Sequence, residues 1–327
     1  MTRLTAEIER FPLAGRFTIS RGSKTEAVVV VATLVDGEFV GRGECVPYAR
    51  YGETPELVVD TIMSLAGPIE DGATVGDLQK LLPPGAARNA LDCAMWDLES
   101  RRYATAVHSI FGLPAPRPVR TCITISLGTP DEMAAAARAA GWPLLKLKLG
   151  GEGDVDRIAA VRDAVPVARL LVDANEAWSA ANFDANLKAC VSARVELIEQ
   201  PLPAGDDAML DGRDHPIKLC ADESIHGLAS LDAVVGRYDA INVKLDKTGG
   251  LSEALALAAM AKARGLTVMV GSMVATSLSM APALLVAQDA DWADLDGPML
   301  LARDRDNGLA YANGMLTPQP GFWGWPT

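Results

Sequence analysis

The chain has 327 residues, 22% charged and 49% apolar, the make-up of a globular protein of about two domains, which excludes a disordered chain. Its 42 Asp and Glu against 30 Lys and Arg give a net charge of −12, which argues against a basic nucleic-acid-binding face and disfavours anionic membrane surfaces. Three histidines (His108, His215, His226) are too few for a multi-His metal site, and five scattered cysteines without a CxxC speak for a reducing cytoplasm.

The N-terminus, MTRLTAEIERF, has no apolar signal-peptide core. The run AVVVVATLV (27–35), then Asp36-Gly37 and FVGRGE, predicts a hairpin with a DG turn. Helices are predicted over 56–66 and 87–103; in the second, Leu91, Met95 and Leu98 share a face. Pro114, Pro116 and Pro118 mark a boundary, so 1–115 is expected to form one α+β domain.

Beyond the prolines the sequence turns regular. Eight short apolar runs follow: RTCITIS (120–126), PLLKLKL (143–149), ARLLVDAN (168–175), VELIEQP (195–201), IKLCADE (217–223), DAINVKL (239–245), LTVMV (266–270) and WADLD (292–296). Helical segments separate them. One opens on a capping box at Thr129 with Pro130 at its first position and stops at Gly141; another is expected to open on Ser252 as N-cap and stop at Gly265. The uncharged stretch between Arg264 and Asp289 reads as a strand, a polar loop and a buried helix, not a membrane span. Eight units of this kind, without strict alternation and without a G-x-G-x-x-G, predict a parallel barrel over 116–298 in preference to an open sheet. Too few residues follow Asp296 for a full last helix; the tail, 299–327, is expected to return to the N-terminal segment as β structure.

Polar residues recur at the C-terminal ends of these strands: Lys148, Asp173, Glu199, Asp222 and Lys244, at intervals of 22 to 26 residues. That end is where such barrels place their chemistry. Lys146 and Lys148 alternate with Leu145, Leu147 and Leu149, so both ammonium groups face one side. Buried in the mouth beside another cation, a lysine is expected to have a depressed pKa and to serve as a base; the competing reading is a solvated edge-strand pair. Asp173, Glu199 and Asp222 on three successive strands repel one another unless a cation sits between them. An all-oxygen set suits Mg²⁺; independent helix caps are the alternative. In an eight-stranded ring, Lys148 and Lys244 stand on opposite sides. The pattern predicts removal of an α-proton by one lysine and its return by the other, through an enediolate whose charge the metal absorbs: racemisation or epimerisation. Asp294 and Asp296 face one side of the last strand. They hold either a substrate ammonium or Lys146 or Lys244, and both readings stay open.

The residues quoted so far, with ISRGSK (19–24), GECVPYARYGET (43–54), GAARNALDCAMWDL (85–98), K-L-D-K-T-G-G (244–250) and DLDGP (294–298), resemble the enolase superfamily over nearly the whole chain. They look most like its muconate-lactonising subgroup, and within it the dipeptide epimerases. The resemblance implies a modified (β/α)7β TIM barrel, with an α+β capping domain formed by the N-terminal segment and the C-terminal tail. It implies one Mg²⁺ per subunit on Asp173, Glu199 and Asp222, and Lys148 and Lys244 as catalytic bases for opposite epimers. Lys146 would contact the substrate carboxylate, Asp294 and Asp296 the dipeptide ammonium, and Thr124 and Ser272 the pocket wall. Arg21 or Lys24, in a cap loop, would meet the glutamate carboxylate. The implied activity is interconversion of L-Ala-D-Glu and L-Ala-L-Glu in cytoplasmic murein recycling, with a small dipeptide as partner, no nucleic acid and no membrane, and a homo-oligomer open. The alternatives are a cycloisomerase or o-succinylbenzoate synthase of the same subgroup, an epimerase of other dipeptides, a Schiff-base aldolase, and a barrel that only binds.

Overall fold

A computed structural model of the chain describes residues 2–325. Strands β1 (Arg3–Ile19), β2 (Gly22–Asp36) and β3 (Phe39–Cys45) form an antiparallel meander. β2 starts five residues before the predicted run, and β1 carried no sequence signal. Most of β1 is exposed or half-buried, and its register shifts between Pro12 and Phe17, so no clean alternation shows. The inner face of β2, with Val30, Ala32 and Leu34, packs with helices Pro55–Met63 and Ala86–Arg102. β3 lies against the second helix at backbone contact. A Cβ on Gly43 would stand 2.1 Å from Ala90 O, and one on Gly41 2.3 Å from Ala94 O, so only glycine fits at either place.

Strand β4 (Val119–Arg120) precedes the barrel. The barrel strands are β5 (Ile123–Ile125), β6 (Leu144–Lys148), β7 (Arg169–Asp173), β8 (Val195–Glu199), β9 (Lys218–Ala221), β10 (Ala240–Val243), β11 (Thr267–Gly271) and β12 (Trp292–Asp294). All neighbours are parallel and follow chain order from β5 to β12, and Cys122 N donates to Ala293 O at 3.0 Å across the seam. The ring is thus nearly closed, as the eight runs predicted. Leu145, Leu147 and Leu149 lie in the outer core with Met133 and Ile158 of the helical layer, while Leu144 joins Cys122, Leu171, Leu197, Cys220, Ala240 and Met269 in the barrel floor. By the two-residue period, Lys146 and Lys148 therefore point inward above that floor.

The helix Pro130–Ala140 has the predicted capping box at Thr129 and the left-handed Gly141. Helix Leu251–Ala263 differs: its N-cap is Gly250, and Ser252 sits inside the first turn. The Ser252 hydroxyl donates to Asp92 and accepts from Trp96 Nε1. It is spent on the neighbouring helix, a partner 160 residues away in sequence that local capping rules do not see. After β12 only the short helix Gly297–Leu300 forms. Strand β13 (Ala310–Ala312) pairs with β14 (Met315–Thr317), and β14 with β4; the tail returns to the N-terminal segment by a single antiparallel bridge of Leu301 to Leu13 of β1, with Ala302 N donating to Pro12 O, by Arg305 on Glu9 and Glu44, by Trp323, whose Nε1 reaches Arg42 O, and by Gly324 N on Asp97. Among the described residues no helix is long and apolar enough to cross a membrane.

The helix Ala86–Arg102 is stitched to segment 246–253 by buried polar groups. Asn89 Nδ2 and Val46 N both donate to Asp246 Oδ1, at 2.8 and 3.0 Å, and Arg88 donates to Thr248 O and Gly249 O. Burial pushes the Asp246 carboxyl up to about 7 against these bonds. The folded state then binds a proton more tightly than the unfolded chain, so this group loses stability as pH rises from about 4 to about 7. Asp246→Asn keeps the acceptor and removes the charge. Its unfolding free energy from urea titrations should gain on the parent over that window, by on the order of 4 kcal/mol, and no further above it. A gap that does not change with pH would refute this.

Candidate functional site

Inward positions above the floor carry charge. A cavity of about 720 Å³ opens there, with Lys148, Asp222, Lys244, Asp294 and Asp296 in its barrel wall and Arg21, Lys24 and Tyr48 in the wall of the N-terminal segment. Thr124 and Ser272 line it too. Lys146, Asp173 and Glu199 lie deeper, each no more than 1% exposed. The structure thus brings together every barrel residue singled out in the sequence. The turns after two of the carboxylates are backbone-strained: Asn175, Glu176 and Gln200 have φ of 44°, 67° and 33°, directly beyond Asp173 and Glu199. Asn175 N returns a hydrogen bond to Asp173 Oδ1 at 2.9 Å, which aims that side chain.

Each lysine meets a carboxylate. Lys148 Nζ donates to Asp173 Oδ2 at 2.6 Å, and Lys244 Nζ to Asp222 Oδ2 at 2.6 Å. Lys146 Nζ lies 2.6 Å from Glu199, 2.7 Å from Asp294 and 3.1 Å from Asp173. The expected depression of a lysine pKa is reversed at two of these groups. Burial favours the neutral amines of Lys146 and Lys244, yet the carboxylates of Asp294, Glu199 and Asp173 outweigh it at the first and those of Asp222 and Glu199 at the second. Both ammonium groups are held well above the ordinary range. Conversely, burial opposes ionisation of Asp173 and Asp222, but Lys148 and Lys146 hold the first low and Lys244 and Lys247 the second. Glu199 is the exception: burial and the charge of Asp173 push it up to about 7.

The donor set suits a hard cation. Asp173 and Glu199 are register partners on β7 and β8, and Asp222 follows β9 next to them. Glu199 Oε2 lies 2.6 Å from Lys146 but accepts no aligned hydrogen bond, and the buried oxygens Asn175 Oδ1, Asn242 Oδ1 and Glu223 Oε2 accept none either. Such a surplus of oxygen acceptors over donors is the chemistry that oxygen-ligated Mg²⁺ uses. Among the described residues, no three Asp, Glu, His or Cys groups already stand in coordinating geometry; ammonium groups take the facing carboxylate oxygens.

The DLD pair divides. Asp294 has Lys146 on Oδ2 and Cys122 Sγ donating to Oδ1 at 3.1 Å, so the intramolecular salt bridge holds there. Asp296 has no ion pair within 4 Å among the described residues; Thr124 N donates to it at 2.6 Å, and burial with the neighbouring Asp294 pushes it up to about 7. Ser272 Oγ donates to Asp294 O at 3.2 Å. Arg21 and Lys24 also separate. Arg21 is matched by Glu223 at 2.7 Å and Glu176 at 3.0 Å and donates to Tyr48 OH. Lys24 has no ion pair among the described residues, stands 5.7 Å over the Tyr48 ring, and has its pKa lowered by burial.

Sequence reading did not single out Gln200, Asn242 or Lys247. Gln200 Oε1 accepts from Asp222 N and Ser224 N, bracing the end of β9, and Asn242 Nδ2 donates to Glu199 Oε1 at 2.8 Å. Asn242 was findable: it precedes Lys244 by two residues on one strand and so shares its side.

Residues 130–322 match the family model for enolase C-terminal domain-like proteins, and residues 2–112 that for the mandelate racemase / muconate lactonizing enzyme N-terminal domain. The chain is 47% identical to the L-Ala-D/L-Glu epimerase of Escherichia coli K12, over 94% of this chain and 97% of that one. It is 42% identical to an N-acetyl-D-glutamate racemase from a Pseudoalteromonas species, over 90% and 95%. An Agrobacterium tumefaciens enolase family member with homology to dipeptide epimerases, solved with bound sodium and L-Ala-L-Glu, shares its fold at a TM-score of 0.96 and 52% identity, over 99% and 100% of the two chains.

Proposed function

The chain belongs to the mandelate racemase / muconate lactonizing enzyme family of the enolase superfamily and is an isomerase, and from there we propose that it interconverts L-Ala-D-Glu and L-Ala-L-Glu. The observation that carries the chemistry is the placing of Lys148 and Lys244 on strands four apart in the eight-stranded ring, both in the wall of one cavity. A substrate α-carbon between them is open to a base on either face. One lysine removes the proton and the other delivers one from the far side, which inverts the centre. Mg²⁺, one per subunit, would be held by Asp173, Glu199 and Asp222 and would supply Lewis-acid stabilisation to the substrate carboxylate. Lys146, fully buried below, adds a fixed positive charge where that carboxylate gains electron density. Lys244 stays protonated while Asp222 has only lysine to answer its charge. Lys24, a cap cation without a carboxylate partner among the described residues, would receive the glutamate side chain, with Arg21 holding the loop. On the same reading the reaction belongs to murein peptide recycling in the cytoplasm.

A second reading has two observations behind it. Asp294 is already paired with Lys146, and a relative at 42% identity acts on an N-acylated glutamate, which has no ammonium to offer. The two are separated by proton NMR in D₂O with Mg²⁺, following α-proton exchange of both Ala-Glu epimers, a hydrophobic dipeptide, N-acetyl-glutamate and the cyclic acids of the alternative activities. L-Ala-Glu is expected to exceed N-acetyl-glutamate in kcat/KM by about 100-fold. Asp296→Asn should cut the dipeptide by roughly 10-fold or more and spare the acyl substrate. The reverse preference would replace the dipeptide by an N-acylated amino acid.

A further inference from the structure

We infer that Lys247 is a positioning residue that acts through Asp222 and makes the two catalytic lysines unequal. The inference rests on the two-lysine reading above. Lys247 is 2% exposed and forms no part of the cavity wall, so it cannot touch a substrate there. Its ammonium has three donors, and three oxygens take them: Asp222 Oδ1 at 2.6 Å, Asp222 O at 2.6 Å and Asn242 O at 3.1 Å. Nothing is left over for proton transfer to a ligand. What the side chain does is hold one residue by two atoms and tie the ends of β9 and β10 together.

The consequence falls on Asp222. With Oδ1 fixed by Lys247, the carboxylate cannot rotate, and Oδ2 is the oxygen turned to Lys244 at 2.6 Å. Lys247 is well placed for this. Helix Leu245–Thr248 begins directly after Lys244, and Lys247 N donates to Lys244 O at 3.0 Å, so the two lysines ride one turn. Asp246 on the same turn is anchored on Val46 N and Asn89, which prevents the turn from shifting. At Lys148 the arrangement differs: its carboxylate, Asp173, has Oδ1 held by the backbone N–H of Asn175, and the Lys146 ammonium, 3.1 Å away, shares Oδ2 with Lys148 and leaves Oδ1 to that N–H. One base thus faces a carboxylate whose far oxygen is set by a buried lysine, the other a carboxylate whose far oxygen is set by its own turn.

The test uses Lys247→Met and Lys247→Arg in the full chain. Titration calorimetry of metal-free protein with Mg²⁺ should show affinity falling about 10-fold or more for Met, the range seen when a group orienting a metal ligand is lost. At saturating Mg²⁺, α-proton exchange in D₂O should fall about 100-fold for the epimer whose exchange Lys244→Ala abolishes, and less than about 10-fold for the other. Arg, which can still bond a carboxylate and a carbonyl, should restore most of the balance between epimers. Equal losses for both epimers, or none, would overturn the proposal. If the Met protein does not fold, Lys247→Gln, which keeps one donor for Asp222, is held to the same skew. Absence of exchange in the unsubstituted protein would fail the two-lysine reading instead, and the role of Lys247 would then stand or fall on the Mg²⁺ titration.

Discussion

Lys148→Ala is expected to abolish α-proton exchange from one epimer of Ala-Glu while the other still exchanges, and Lys244→Ala to show the mirror image. Epimerisation itself should fall about 10³-fold in either, since a missing acid or base at either face stops inversion. The reason lies in placement. The two side chains enter one cavity from β6 and the end of β10, and Asp173 and Asp222 hold separate ammonium groups. A substrate proton on one face is out of reach of the opposite lysine. Proton NMR in D₂O on each pure epimer reads this directly. Full racemisation by both single variants would sink the two-base mechanism, and borohydride trapping of an adduct would replace it with Schiff-base chemistry.

Chelation with EDTA should reduce turnover to background, with Mg²⁺ restoring it, and Glu199→Gln and Asp222→Asn should each weaken Mg²⁺ binding about 100-fold or more. The informative contrast is in the stability of the metal-free proteins. Glu199 is a carboxyl that burial and Asp173 already push up to about 7, so an amide in its place costs little. Asp222 is ionised between Lys244 and Lys247, with both oxygens used. Asp222→Asn leaves two buried ammonium groups without their charge, a loss of about 3 kcal/mol by analogy with broken buried pairs. Thermal midpoints in EDTA should therefore drop by several degrees for Asp222→Asn and by much less for Glu199→Gln. Equal drops would show that the triad is not electrostatically divided as described.

The barrel was legible because one side of each strand had to carry its polar end residue at the same height, and that repeat survives in a bare sequence at Lys148, Asp173, Glu199, Asp222 and Lys244. β1 was not legible, because an edge strand with a bulge and few buried residues shows no period. The failures in the site have a common cause. Spacing says that charges converge, but not which oxygen meets which ammonium. The lysines were therefore read as mutually repelling when carboxylates dominate their surroundings, and Arg21 was read as available when Glu223 and Glu176 already occupy it. Ser252 failed likewise, through Asp92. Lys247 stands within the quoted K-L-D-K-T-G-G, yet only the fold shows that it turns back on Asp222.

The backbone contact of Gly41 and Gly43 with helix Ala86–Arg102 has a consequence for changing substrate preference by exchanging parts among relatives. That helix carries Asn89 and Asp92, whose bonds reach Asp246 and Ser252, and the turn bearing Asp246 begins at Lys244. The tilt of Lys244, one of the two proposed bases, is thus inherited from two bare positions in a strand of the other sheet. A chimera that grafts the substrate-facing loops alone keeps this inheritance. One that brings in a foreign third strand with a side chain at either position re-aims the base along with the specificity, and its kinetics would be misread as a change of taste when they are a change of alignment.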